Sequence, residues 1–223
     1  MSKRYSHMSW DYVNRKDAGE VLAEKAVEAG IDEASVILAI PNGGIAVAAP
    51  IAQETGASLS LIIVRKMQIP YNPEAGFGAL TSFGTMILNN QLLARLNLSD
   101  EKIEHAKERT EQQIERRRNT YAQYLKDIDP ETLHVVLVDD GLASGYTMLA
   151  AVRSVREQHP ESITVLVPTA SDSAANRVES VVDEFICPRI ETGFVFAVAN
   201  AYRDWHDLTD EEVVQILEEF NTD

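Results

Sequence analysis

Short apolar runs, each followed by a stretch of mixed polarity at helical spacing, set the rhythm of most of this chain. Val36-Ile37-Leu38-Ala39-Ile40 is apolar without interruption, the mark of a parallel strand buried on both faces. Leu59 to Val64, Val135–Val138, Ile163–Pro168 and Glu184–Ile186 read as further strands. Residues 15–30 carry Ala18, Val21, Leu22, Ala26 and Val27 at helical spacing and stop at Gly30. Ile45 to Thr55, Thr147–Gln158, Ser171–Val182 and Thr209–Phe220 predict four more helices. Strands and helices in alternation define an α/β fold, a mainly parallel sheet with helices on both faces.

Two stretches break the rhythm. Met67 to Gly84 is rich in proline and glycine and predicts a loop, with a hairpin near Phe77–Leu88. Residues 99–126 predict a long charged helix with Ser99 as its N-cap. Its apolar stripe is narrow (Ile103, Ala106, Thr110, Ile114, Tyr121, Leu125) and serves either as an intramolecular seam or as a dimer contact. Arg116-Arg117-Arg118 on the same helix reads as a solvated face. The length suits one domain over 1–223, with 67–130 as a flexible-loop and long-helix elaboration and 187–223 as a small hood and C-terminal helix.

Composition narrows the class. At 45% apolar the chain can bury a core without covalent staples. No run approaches the roughly 18 apolar residues of a membrane span, and MSKRYSHMSW lacks the apolar middle of a signal peptide. The one cysteine, Cys187, forms no internal disulfide and reads as a small buried hydrophobe, so the cytoplasm is the expected location. The five histidines show no paired metal-ligand spacing. Twenty basic against 35 acidic residues give a formal charge of −15, which repels a phosphate backbone and disfavours nucleic-acid binding. An anionic ligand would need local help from backbone amides, a few placed cations or Mg²⁺.

The chemistry concentrates where the strand at 135 ends. Asp139-Asp140 falls at a strand's C-terminal end, where open α/β sheets bind ligands. The loop Gly141-Leu142-Ala143-Ser144-Gly145-Tyr146-Thr147 then leads into a helix. Its glycines allow close backbone approach, and the helix N-terminus supplies positive potential, so a phosphate fits the loop and sugar hydroxyls fit the carboxylates. A Walker loop needs Gly-Lys-Ser/Thr, but Tyr146 follows Gly145. The dinucleotide fingerprint is absent too. Ser144 stands one position late for the nucleophile elbow, and a hydrolase would also need a histidine and an oxyanion hole. The plain alternative is a strand-to-helix turn in which the aspartates merely cap.

VVLVDDGLASGYTM resembles the 5-phosphoribosyl-1-pyrophosphate (PRPP) motif of type I phosphoribosyltransferases. RKDAGEVLA, AIPNGGIAVA, VRKMQIPYNPEAGFGA and ETGFVFAVANAYRDWHDLTDEEV extend the resemblance over most of the chain. It implies that Asp139 and Asp140 bind the ribose hydroxyls, directly or through Mg²⁺, and that Gly141 to Thr147 wrap the 5-phosphate. Ile40-Pro41-Asn42-Gly43-Gly44 takes the place of the family's pyrophosphate loop, with the glycines free to adopt unusual dihedrals. Arg65 and Lys66 take the place of its pyrophosphate-contacting cations, ahead of a loop over 68–84 that closes on the reaction. The implied activity is transfer of the phosphoribosyl group to a nitrogenous base with release of pyrophosphate, in a homodimer. Ala143 stands where 6-oxopurine enzymes carry an aspartate, so that specificity is not implied. A hood over 187–206 offers Phe194, Phe196, Tyr202 and Trp205 either for base stacking or as a small aromatic core. The alternative on the same fold is a non-catalytic PRPP-binding regulator, which the acidic charge and the lack of a DNA-binding extension argue against.

Overall fold

A computed structural model of the chain describes residues 11–70, 72–124, 128–193 and 196–222. The main sheet consists of five strands: β1 (Val36–Ala39), β2 (Ser58–Leu61), β6 (His134–Val138), β7 (Ser162–Leu166) and β9 (Glu184–Ile186). All run parallel, in the order β2-β1-β6-β7-β9. Alternate residues of β1 and β6 point to opposite faces, and both faces are covered. Ile37, Ala39, Val136 and Val138 pack under α1 (Arg15–Glu28), α2 (Gly43–Thr55) and α7 (Asp210–Phe220). Val36, Leu38, Val135 and Leu137 pack under α5 (Tyr146–Arg156) and α6 (Asp172–Glu179). The α/β architecture read from the sequence is the one formed.

The buried face of α1 differs from the expected one. Val21 and Val27 are exposed, and the helix buries Ala18, Gly19, Leu22, Ala23 and Ala26 instead. Small residues let α1 lie tightly on α2: a Cβ at Gly19 would sit 2.4 Å from the Val47 carbonyl oxygen. Arg15 shares this buried face, three residues before Ala18 and seven before Leu22.

The predicted strand over Leu59 to Val64 is two strands. The chain leaves the parallel sheet after Leu61, Ile62 entering the main core and Ile63 a second one. That second core belongs to an antiparallel sheet of β3 (Val64–Ile69), β4 (Asn72–Thr81) and β5 (Met86–Leu88). Most of Met67 to Gly84 is therefore strand rather than loop, because Met67, Phe77 and Leu80 give it an apolar face to bury. A short helix α3 (Asn90–Leu96) precedes α4 (Asp100–Tyr121). Ser99 stands at the N-cap of α4, although its side chain makes no capping bond. Ala106 and Ile114 pack on β3 and β4, and Tyr121 reaches the α2–α7 core. The stripe is thus an intramolecular seam; Leu125 lies outside the described residues. The remaining pair, β8 (Thr169–Ser171) and β10 (Arg189–Glu191), runs parallel beside the main sheet.

Candidate functional site

The order β2-β1-β6 brings the two informative loops together. From β1 the chain steps outward to β2, and on its return β6 lies on the other side of β1. The crevice beyond the carboxyl ends of β1 and β6 is the switch point at which such sheets bind ligands. Ala39 pairs with Val138, so the loop after β1 and the loop after β6 leave side by side. Gly43 and Gly44 make the contact possible. A Cβ on Gly43 would fall 1.9 Å from Asp140 Oδ2, and one on Gly44 would fall 2.7 Å from the Val138 carbonyl oxygen. Neither has a positive φ, so they are needed for small size and not for unusual dihedrals. The Pro41–Asn42 peptide is cis. Helix α2 starts at Gly43, and its positive end faces the crevice.

Asp139 and Asp140 sit where β6 ends. Asp139 Oδ1 accepts from the Asp140 amide at 2.8 Å. Burial, followed by repulsion from Asp140, holds the Asp139 carboxyl well above the usual aspartate range. Burial also raises Asp140, with Arg15 pulling it back. Arg15 Nε donates to Asp140 Oδ2 at 2.8 Å, with the two side chains only 8% and 16% exposed. Arg15 also donates to the His206 carbonyl at 2.9 Å, and its guanidinium lies 3.9 Å from the Trp205 ring centre. Tyr202 is buried against Tyr12 and Ala18 and donates its hydroxyl to the Asp140 carbonyl at 2.6 Å. Tyr202 and Trp205 therefore belong to a small aromatic cluster, from which Tyr202 holds the Asp140 backbone. Phe196 is half-buried, and Phe194 lies outside the described residues.

The loop from Gly141 to Thr147 is anchored through Leu142, Ala143 and Ser144. Leu142 is buried, its amide donating to Thr169 and its carbonyl accepting from Ser171, so it fastens the loop with its backbone. Ser171 Oγ donates to the Ala143 carbonyl at 2.8 Å, and Arg177 donates to the Ser144 carbonyl. Gly145 caps α5 with φ 73°, a left-handed conformation that glycine adopts at no steric cost. Ala143, Ser144, Tyr146 and Thr147 are exposed around the N-terminus of α5. His134 bonds to Ser35 and Thr164 and His206 to Glu212, so neither serves Ser144 as a base.

The expected cation pair is separated. Adjacent strand residues face opposite ways. Arg65 turns toward α4, and Lys66 lies exposed on the other face of the hairpin, against Gly76. Arg65 joins a cluster the sequence reading did not contain. Arg117 donates to Asn42 Oδ1, and to Asp210 Oδ1 at 3.0 Å. Tyr121 donates to the same two oxygens at 3.1 and 2.7 Å. Asn42 Nδ2 donates to the Leu208 carbonyl at 2.7 Å and to Asp210 at 3.1 Å. The Asn42 side chain is therefore spent on holding its loop to α4 and α7. Arg117, read as part of a solvated face, is mostly buried. The signal was present in the sequence: it stands three residues after Ile114 and four before Tyr121, on the buried stripe.

The sheet thus carries an acidic pair and a small-residue loop at its switch point, faced by a second loop with arginines beside it. The chain belongs to the phosphoribosyl transferase domain family, whose model matches residues 84–203. Its fold is similar to the crystal structure of TT1426 from Thermus thermophilus, with 33% identity and a TM-score of 0.78 over 94% of this chain and 98% of that one. A Mycobacterium tuberculosis protein named "Putative phosphoribosyl transferase Rv0571c" is 30% identical over 210 residues, 94% of this chain and 47% of that one. The chain thus spans about half the length of this curated relative. A Mycoplasma genitalium uracil phosphoribosyltransferase is 38% identical over 48 residues, 22% of this chain and 23% of that one.

Proposed function

We propose that this chain transfers the 5-phosphoribosyl group of PRPP to a nitrogenous base and releases pyrophosphate, as a single cytoplasmic domain that pairs as a homodimer. The observation that carries the reading is the contact between the Asn42-Gly43-Gly44 loop and Asp140, which joins a pyrophosphate half to a ribose half in one crevice. In the reaction a base nitrogen bonds to the anomeric carbon as the bond to the pyrophosphate oxygen breaks. Positive charge develops on the sugar and negative charge on the leaving group, so the protein's work is placement of charge. Asp139 and Asp140 face the first; Arg65 and the positive end of α2 face the second. The loop from Gly141 to Thr147 holds the 5-phosphate at the N-terminus of α5.

Mg²⁺ fits the donors present. Two adjacent carboxylates, Asp139 and Asp140, supply hard oxygens. That set suits an ion held partly by substrate oxygens, the usual mode for Mg²⁺. Bound there, it would neutralise charge on the departing pyrophosphate. Asp140 is committed to Arg15, which leaves Asp139 as the better candidate for metal or ribose. Ala143, where 6-oxopurine enzymes carry an aspartate, gives no support to a 6-oxopurine acceptor.

Calorimetry with Mg-PRPP, followed by pyrophosphate release across purines, pyrimidines and small amines, tests the reading. Binding together with release for one acceptor class is the expected result. Binding with no release for any acceptor would favour the non-catalytic regulator. Absence of PRPP binding would sink both.

A further inference from the structure

Two part-buried arginines near the Asn42 loop each keep one donor without a partner among the described residues. Arg65 Nε and Arg117 Nε are both buried atoms with no hydrogen-bond partner among the described residues. A buried guanidinium N–H left unpaired is costly, and such a group calls for an explanation. Arg117 uses Nη2 on Asn42 and Asp210, so its Nε faces a separate demand. The charges do not balance either. Arg65 and Arg117 repel each other, and Asp210 is the carboxylate that faces both. Burial lowers the Arg65 pKa and repulsion by Arg117 adds to it, with Asp210 opposing. Among the described residues this cluster sets two cations against one carboxylate, in a molecule whose formal charge is −15.

We propose that Arg117, carried by the long helix α4, is a pyrophosphate-binding residue that acts with Arg65, and that Asp210 is an internal carboxylate competing with the ligand for their charge. The inference rests on the PRPP reading above and adds to it a ligand-binding role for α4. Arginine suits the task because its planar fork keeps several donors available while one nitrogen stays anchored. Asn42, Tyr121 and Asp210 hold that one nitrogen and orient the rest. Helix α7 places Asp210 in its first turn, fixed by the reciprocal bonds of Thr209 and Glu212, so the competing carboxylate is itself rigidly held.

Inorganic pyrophosphate, PRPP and ribose 5-phosphate, each titrated calorimetrically with Mg²⁺ present, separate the possibilities. Arg117→Met should weaken pyrophosphate and PRPP by about tenfold or more, the scale of one charged hydrogen bond, and leave ribose 5-phosphate unchanged. Wild-type affinity for pyrophosphate in Arg117→Met would overturn the proposal. Asp210→Asn keeps the acceptor oxygen and removes the charge, and should tighten pyrophosphate by about threefold or more through lost charge competition. A purely structural ion pair would give no such gain, so unchanged or weaker binding by folded Asp210→Asn also overturns it. This arm decides the matter if Arg117→Met fails to fold. If wild-type protein binds neither PRPP nor ribose 5-phosphate, the underlying functional reading fails instead.

Discussion

Asp139 and Asp210 are both carboxylates at the crevice, yet their surroundings push them in opposite directions. Burial and Asp140 raise Asp139, so its ionisation opposes folding. Stability from this group is complete below the unfolded aspartate pKa of about 3.9 and falls as pH rises above it. Asp139→Asn should therefore melt about 2–4 °C higher at pH 7, the scale of one kcal/mol in a chain of this size, while losing PRPP binding. The gain should vanish at a pH of about 3, below the unfolded value, and a scan of melting temperature against pH reads it directly. A variant destabilised at pH 7 would show that the carboxylate is stabilising and the sign is wrong. At Asp210, burial is outweighed by hydrogen bonds from Tyr121 and Asn42 and by Arg117, which together lower the pKa. Its contribution is present above the usual carboxylate range and is lost as pH falls through the lowered value.

Elements make the site by meeting, and Gly43 is where two of them meet. Helix α2 begins against the loop that follows β6, with no room for a side chain. Gly43→Ala would push its Cβ into the Asp140 carboxylate and force the loops apart. The expected result is PRPP affinity reduced by about tenfold or more with the circular dichroism spectrum retained, since a small misplacement at such a site has large effects. Unchanged affinity would mean that loop contact is not needed for binding. The conflict was hidden in the sequence because Asp140 is nearly a hundred residues away and its proximity depends on strand order. The helices and strands themselves were legible, since continuous apolar runs and helical spacing report burial directly. Errors fell where apolar residues serve two cores, as at Ile62 and Ile63, or where small residues carry the packing, as on α1.

At the scale of the molecule, Arg15 ties α1, the loop after β6 and the segment at 205–206 into one unit. Arg15→Met would leave the Asp140 charge buried without its partner, at a cost of about 3–5 kcal/mol. Removing both charges in Arg15→Met/Asp140→Asn should recover much of that loss in urea denaturation at pH 7. Additive losses in the double variant would mean that the pair is not coupled. Around the crevice, the sequence by itself exposed the strand, the acidic pair and the small-residue loop, because they are contiguous and local pattern reveals them. It also determined the α/β class, because burial on both faces of a strand leaves a run with no polar break. Only the tertiary structure decided which cations gather near the two loops. Arg15, Arg65 and Arg117 come from three distant elements, and Lys66 is turned away by the pleat of its strand. Charge at a site depends on distance through space, and that distance is fixed by strand order and helix packing, which no local run of residues encodes.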